Sequence, residues 1–210
     1  MKTLSVSDIV SRVRTKYDEI GLNQSEIMSS LEDNVNFDTI VKGNIEAAYI
    51  FVSKSADLSM LEGKSDTSLS LAIDSNLVGR VTLPDDFLRG VTARLSSWDS
   101  SFVKIITEDE PEYRMQSDKY ACGTYQYPII ALVHTKDGKQ FEFYKAKASN
   151  DTLKSFVYVP TPSIISDSID VPDRLVESFI YYVAALTATT FREDVANDFF
   201  KVAKALLGIE

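Results

Sequence analysis

Apolar residues recur at helical spacing at both ends of the chain and alternate with polar ones in between. Ile9, Val10, Val13, Tyr17 and Ile20 form one helical face, capped by Ser5 or Ser7 and stopped at Gly21. Asn23-Gln24-Ser25-Glu26 starts a short second helix through Ile27, Met28 and Leu31. A third runs from Asp38 and buries Ile40, Val41, Ile45, Ala48, Tyr49 and Val52, with Gly43 weakening its interior. These make residues 1–55 an N-terminal helical segment. Residues 55–66 read as a linker or exposed loop.

From 66 to 160 the pattern predicts short strands. Leu69, Leu71 and Ile73 alternate with polar neighbours, as do Val91, Ala93 and Leu95, and residues 103–107 add another strand. Residues 129–134 and 140–146 flank Lys136-Asp137-Gly138-Lys139, a hairpin signal because Asp-Gly accepts positive φ. A strand at 156–159 ends at Pro160-Thr161-Pro162. After a polar loop at 163–170, Val171-Pro172-Asp173 opens what reads as the longest helix. Leu175, Phe179, Tyr182, Val183 and Leu186 line one side, and Ile180, Ala184 and Ala185 make the other nearly as apolar, so it is buried on several sides. A final helix over 193–207 stacks Val195, Phe199, Val202, Ala203 and Leu206. Phe200 adjoins Phe199 and cannot face the same core, which leaves it for a partner. The expectation is an α+β protein: N-terminal helices, central antiparallel strands with an Asp-Gly hairpin, and C-terminal helices (171–210) packing with the rest as one domain.

Residues 83–98 combine several signals. Pro84 suits the start of a helical turn, Asp85 and Asp86 favour its N-terminus, Phe87 and Leu88 give it an apolar side, and Gly90 closes it. Val91 to Trp98 then reads as a strand carrying the single tryptophan. No nucleophile, base or metal-ligand pattern lies in this stretch.

Composition narrows the chemistry. A net charge of −9 with no basic stripe disfavours a protein that grips nucleic acid through its backbone. A single cysteine, Cys122, excludes an intrachain disulfide framework and fits a reducing compartment. The chain opens with no signal-peptide pattern, and the apolar run 179–186 is too short to span a bilayer. His134 is the only histidine, and Cys122 has no basic neighbour to activate it, so Cys122 reads as structural and His134 as solvent-facing. Glu62-Gly63-Lys64-Ser65 ends like a phosphate loop, but Leu58 stands where the motif needs glycine. Two acidic clusters remain, Asp85-Asp86 and Glu108-Asp109-Glu110 with Glu112. Each reads as the solvated opening of a helical turn. The alternative is a carboxylate-metal nuclease using Asp85, Asp86, Glu108 and Asp109. Tyr113, Tyr120, Tyr125 and Tyr127 crowd the stretch 113–128 with Arg114 and Met115, residue types enriched at protein interfaces. Packing of these tyrosines on their own sheet is the equal alternative.

The order of the motifs resembles the head-to-tail connector (adaptor or neck ring) proteins of tailed phages, especially the crAss-like short-tailed ones. It runs from Leu83-Pro84-Asp85-Asp86-Phe87 through Trp98, Pro111-Glu112-Tyr113 and Ser117-Asp118-Lys119-Tyr120 to Tyr127-Pro128-Ile129-Ile130-Ala131. It ends at Val171-Pro172-Asp173-Arg174-Leu175-Val176-Glu177. The likeness covers roughly residues 80–190, and the N-terminal helices match only in type. It implies a virion protein, made in the host cytoplasm, that forms a ring, commonly twelve-fold, below the portal. The partners implied are its own copies, the portal and other neck or tail proteins, with DNA passing through the lumen unbound. No enzymatic activity, cofactor or membrane contact is implied. The residues expected at interfaces are Asp85, Phe87, Arg89 and Trp98 near the acidic turn, Tyr113 and Tyr125 in the loop, and Phe200 in the last helix; each can equally be core, and Trp98 reads first as a buried pin holding the turn on the sheet. Other readings are another neck or tail ring component, the nuclease, and a soluble host adaptor module.

Overall fold

Ser5 starts the first helix by accepting the Asp8 amide on Oγ at 3.1 Å, which satisfies one of the donors that a first turn leaves open. The computed structural model describes residues 1–19, 34–99, 104–118, 120–190 and 193–209; the predicted second helix, Ile20 and Val103 lie outside them. In chain order come β1 (Lys2–Ser5), α1 (Val6–Glu19), α2 (Asn34–Ser55) and a 3₁₀ turn at Leu58–Met60. Next are β2 (Lys64–Ser65), β3 (Leu71–Ile73), β4 (Gly79–Thr82), β5 (Phe87–Leu95), β6 (Lys104–Thr107) and α3 (Pro111–Met115). β7 (Ile129–Thr135), β8 (Gly138–Phe143) and β9 (Leu153–Pro160) complete the middle. β10 (Ser168–Val171), a 3₁₀ turn at Asp173–Leu175, α4 (Val176–Ala188) and α5 (Glu193–Leu207) follow. Helices at both ends around central sheets make this an α+β fold. The chain divides into two units, Met1–Glu62 with Thr161–Glu210, and Gly63–Pro160.

In the first unit, α1, α2 and α5 all pack against α4. Ten of the 13 residues of α4 are buried, as its nearly all-round apolar pattern requires. Phe179, Ile180 and Val183 are fully enclosed, each burial being worth about 1.5–3 kcal/mol. α1 buries Ile9, Val10, Val13 and Tyr17, and α2 buries Val41, Ile45, Ala48, Tyr49 and Val52, following the predicted spacing. The Tyr17 hydroxyl donates to the Ala184 carbonyl at 2.9 Å, so even this buried phenol is satisfied.

Three expectations are corrected here. The polar loop at 163–170 ends in a strand: β10 pairs antiparallel with β1, setting Leu4 opposite Ile169, both buried. The longest helix is α2, with 22 residues, and the helix expected from Val171 starts later: Val171 belongs to β10, and Pro172 leads into the 3₁₀ turn before the 13-residue α4. On α5 the buried stripe is Ala196, Phe199, Ala203 and Leu207, while Val202 and Leu206 are 40% and 44% exposed. The adjacent phenylalanines also both find partners. Phe199 meets Tyr17 at 5.3 Å between ring centres, and half-buried Phe200 meets Tyr182 at 5.1 Å.

In the second unit the strands form a sheet of order β3-β4-β8-β7-β6 and another of order β2-β9-β5. The pairs are antiparallel except β6 with β7, which is parallel and departs from the all-antiparallel expectation. The reason is the connection between them, residues 108–128 with α3, which is long enough for a crossover. Both sheets feed one aromatic core of Phe87, Trp98, Phe141, Phe143, Phe156 and Tyr158. The hairpin forms at Lys136 and Asp137, and its left-handed residue is Gly138, at φ +116°.

The stretch 83–98 is built differently from its prediction. The Phe87 amide donates to the Pro84 carbonyl at 2.9 Å, closing a tight turn on Asp85 and Asp86, and β5 begins at once. Gly90 therefore ends no helix. It sits at a register shift of β5, where a Cβ would stand 2.9 Å from Phe141 Cζ. Trp98, 1% exposed, lies just beyond β5, donates through Nε1 to the Lys145 carbonyl at 3.1 Å, and rests 5.8 Å from the Phe143 ring.

Candidate functional site

The acidic residues are dispersed among separate scaffold partners. Asp86 accepts the Tyr158 hydroxyl at 2.8 Å and faces Lys64 at 3.6 Å, whereas Asp85 is exposed. Glu108 pairs with the exposed His134, with Oε1 3.0 Å from Nδ1, and accepts the His134 amide at 3.3 Å. Glu110 accepts the Thr107 amide at 2.8 Å. Glu112 meets Lys104 at 2.8 Å, and this ammonium holds the carboxyl below its usual range. Among the described residues no three His, Cys, Asp or Glu side chains gather as a metal site would require. The four carboxylates of the nuclease reading are therefore not brought together as a metal-binding set.

The expected interface residues fall into two groups. Phe87 and Trp98, 2% and 1% exposed, are spent in the core. Arg89, Tyr113, Tyr125 and Phe200 are half-buried, and Asp85 is exposed. Tyr113 packs beside Ile106, Ala131 and Tyr144, and Tyr125 lies on the larger core under the Lys147 ammonium, 5.3 Å from its ring centre. These two tyrosines thus follow the own-sheet alternative. The large apolar side chains that the 113–128 segment presents outward among the described residues are Tyr120, Tyr127 and Met115, at 92%, 74% and 49% exposure.

Beneath that segment the sheet opens into a cleft of about 680 Å³, lined by Val78, Tyr113, Arg114, Cys122, Tyr144 and Lys145 among others. Gln116 shapes its wall from within α3's end: Nε2 donates to the Glu112 carbonyl at 2.9 Å and Oε1 accepts the Gly123 amide at 2.9 Å. Behind the cleft, Glu142 accepts the Tyr144 hydroxyl at 2.7 Å and the Tyr113 hydroxyl at 3.4 Å, and pairs with Arg80 at 3.0 Å. Burial first, then this carboxylate, pushes Tyr144 ionisation far up. Arg80 also meets Asp74 at 3.0 Å. The backbone N–H of Val78, aided by Arg80, holds Asp74 below the carboxylate range. Lys145 adopts φ +66°, a left-handed conformation uncommon outside glycine, while its carbonyl takes the Trp98 N–H. Glu142, Arg80, Asp74 and Lys145 carry no sequence motif; what unites them is the alignment of β4 and β8 with the turn before β4 and the loop after β8. Cys122 is buried in the cleft wall.

With this geometry in hand, comparison with protein-family models and with curated proteins finds no match for the chain. Among the described residues no helix is long and apolar enough to cross a membrane.

Proposed function

We propose that this chain is a structural virion protein, a head-to-tail connector that forms an oligomeric ring between the portal vertex of a phage capsid and the tail. The observation that carries the reading is the aromatic segment 113–128, which turns Tyr120, Tyr127 and Met115 outward from a sheet whose carboxylates are largely held by scaffold partners. Exposed Tyr and Met over a rigid sheet suit a docking part. Such a part needs two different complementary faces so that contacts propagate around a closed ring. The acidic balance, −9 overall, suits a wall along which DNA slides without adhering. On this reading the protein is not an enzyme, carries no cofactor, and works at the neck of the particle.

Electron microscopy of the purified chain, alone and mixed with the portal protein of the same virion, tests the proposal. Rings, or rings seated on the portal, are expected, and particles lacking the protein should fill with DNA yet fail to join tails. A chain that stays monomeric and ignores portal and tail proteins overturns it.

A further inference from the structure

The five-stranded sheet ends in two chemically different edges. At one end the β7–β8 hairpin turns, Leu83 N–H donates to the Lys139 carbonyl at 2.9 Å, and Glu108 N–H donates to the Leu132 carbonyl at 3.2 Å. Those bonds gather the 84–86 turn, the 108–110 corner and the hairpin tip. Asp85, Asp109 and Asp137 are exposed there, and among the described residues their carboxylates have no partner. Lys136 and Lys139 are exposed at the same end, where the Lys139 Nζ is held by the Phe87 carbonyl at 3.3 Å. The opposite end, where Tyr144 N–H donates to the Ile129 carbonyl at 3.1 Å, holds the 680 Å³ cleft. Arg114 and Lys145 line it, and their cationic groups likewise have no partner among the described residues. The acids nearby are engaged: Asp118 accepts the Tyr120 amide at 2.7 Å and the Ala121 amide at 3.2 Å, and Glu142 is held by Arg80 and two tyrosines. Seven residues of β7 separate the two ends, about 20 Å.

We infer that the acidic end of one copy docks into the cleft of the next, with Asp85 and Asp109 meeting Arg114 and Lys145. The inference rests on the ring assembly proposed above and names its subunit contact. Opposite charge on opposite ends of one rigid sheet makes the contact heterologous, the kind that propagates head to tail instead of stopping at a dimer. Two native reporters sit at the receiving end. Trp98 is hydrogen-bonded to Lys145, and Cys122 lies in the cleft wall.

Paired charge reversals test it by sedimentation velocity. R114E/K145E keeps its acidic end and loses its cleft; D85K/D109K does the opposite. The wild type is expected to sediment as an oligomer, with Cys122 several-fold slower to react with a thiol reagent than in either variant. Each variant alone should be monomeric with unchanged circular dichroism and Trp98 emission, and an equimolar mixture should reassemble, because each reversed face then meets its complement. If a reversal disturbs folding, R114Q/K145Q and D85N/D109N carry the same comparison, each expected to weaken assembly. Variants that assemble like the wild type, or that fail to recombine, overturn this contact and leave ring formation standing. A wild type that is monomeric overturns both.

Discussion

Gly90 is held by its neighbours. With Phe141 Cζ 2.9 Å and Ile105 Cδ1 3.2 Å from an added Cβ, any side chain there drives into the aromatic core. Gly90→Val should cost about 1–3 kcal/mol, read from urea unfolding followed by Trp98 emission. Ser178 presents the opposite case: it is 1% exposed, and among the described residues its Oγ has no hydrogen-bond partner. Ser178→Ala removes an unsatisfied hydroxyl without opening a cavity, so unfolding should become harder by roughly 0.5–1 kcal/mol. Titration gives a third check at this scale. Burial pushes Tyr17 and Tyr144 upward from the ordinary 10.0. A phenol with a raised folded pKa contributes stability fully below pH 10 and loses it as pH rises toward the folded value. Absorbance at 295 nm should therefore show part of the tyrosines ionising only together with alkaline unfolding; a single ordinary profile for all ten would contradict the packing.

At the level of elements, the N-terminus is fixed by a strand and a cap in succession. Leu4 enters the core opposite Ile169, and one residue later Ser5 caps α1. Ser5→Ala should destabilise by about 1 kcal/mol in thermal or chemical unfolding. The helices were legible in the sequence because α1, α2 and α4 each bury most of the stripe their spacing marks, with Ile40 and Leu186, at the stripe edges, only half-buried. α5 shows the limit. Val202 and Leu206 are as apolar as Leu207, so periodicity alone could not decide which edge of the stripe faces α4. β1 and β10 escaped because each is four residues long and pairs across 160 positions of chain, beyond any local signal.

For the whole molecule, the division at Glu62–Gly63 and Pro160–Thr161 makes residues 63–160 a contiguous unit with its own aromatic core. Expressed alone, that segment should fold, giving a β-type circular dichroism spectrum and the blue-shifted emission of a buried Trp98; emission like that of free tryptophan would show that its core needs the helical unit. The candidate site was legible only in part. The crowding of tyrosines at 113–127 drew attention to the segment, yet which tyrosines turn outward depended on what lay beneath. Tyr113 packs beside Glu142, and Tyr125 on the core under Lys147, whereas Tyr120 and Tyr127 stay 92% and 74% exposed.

By itself the sequence determined the class of fold, the helical flanks and the hairpin at Gly138, since these follow from local periodicity, backbone freedom and composition. Tertiary structure decided the rest. It turned Pro84–Phe87 into a tight turn because Phe87 is needed at the start of β5, opposite Pro160. It set Asp85, Asp109 and Asp137 along one end of a sheet with Arg114 and Lys145 at the other. Charges so far apart in sequence acquire a direction only when strand pairing sets which ends lie together.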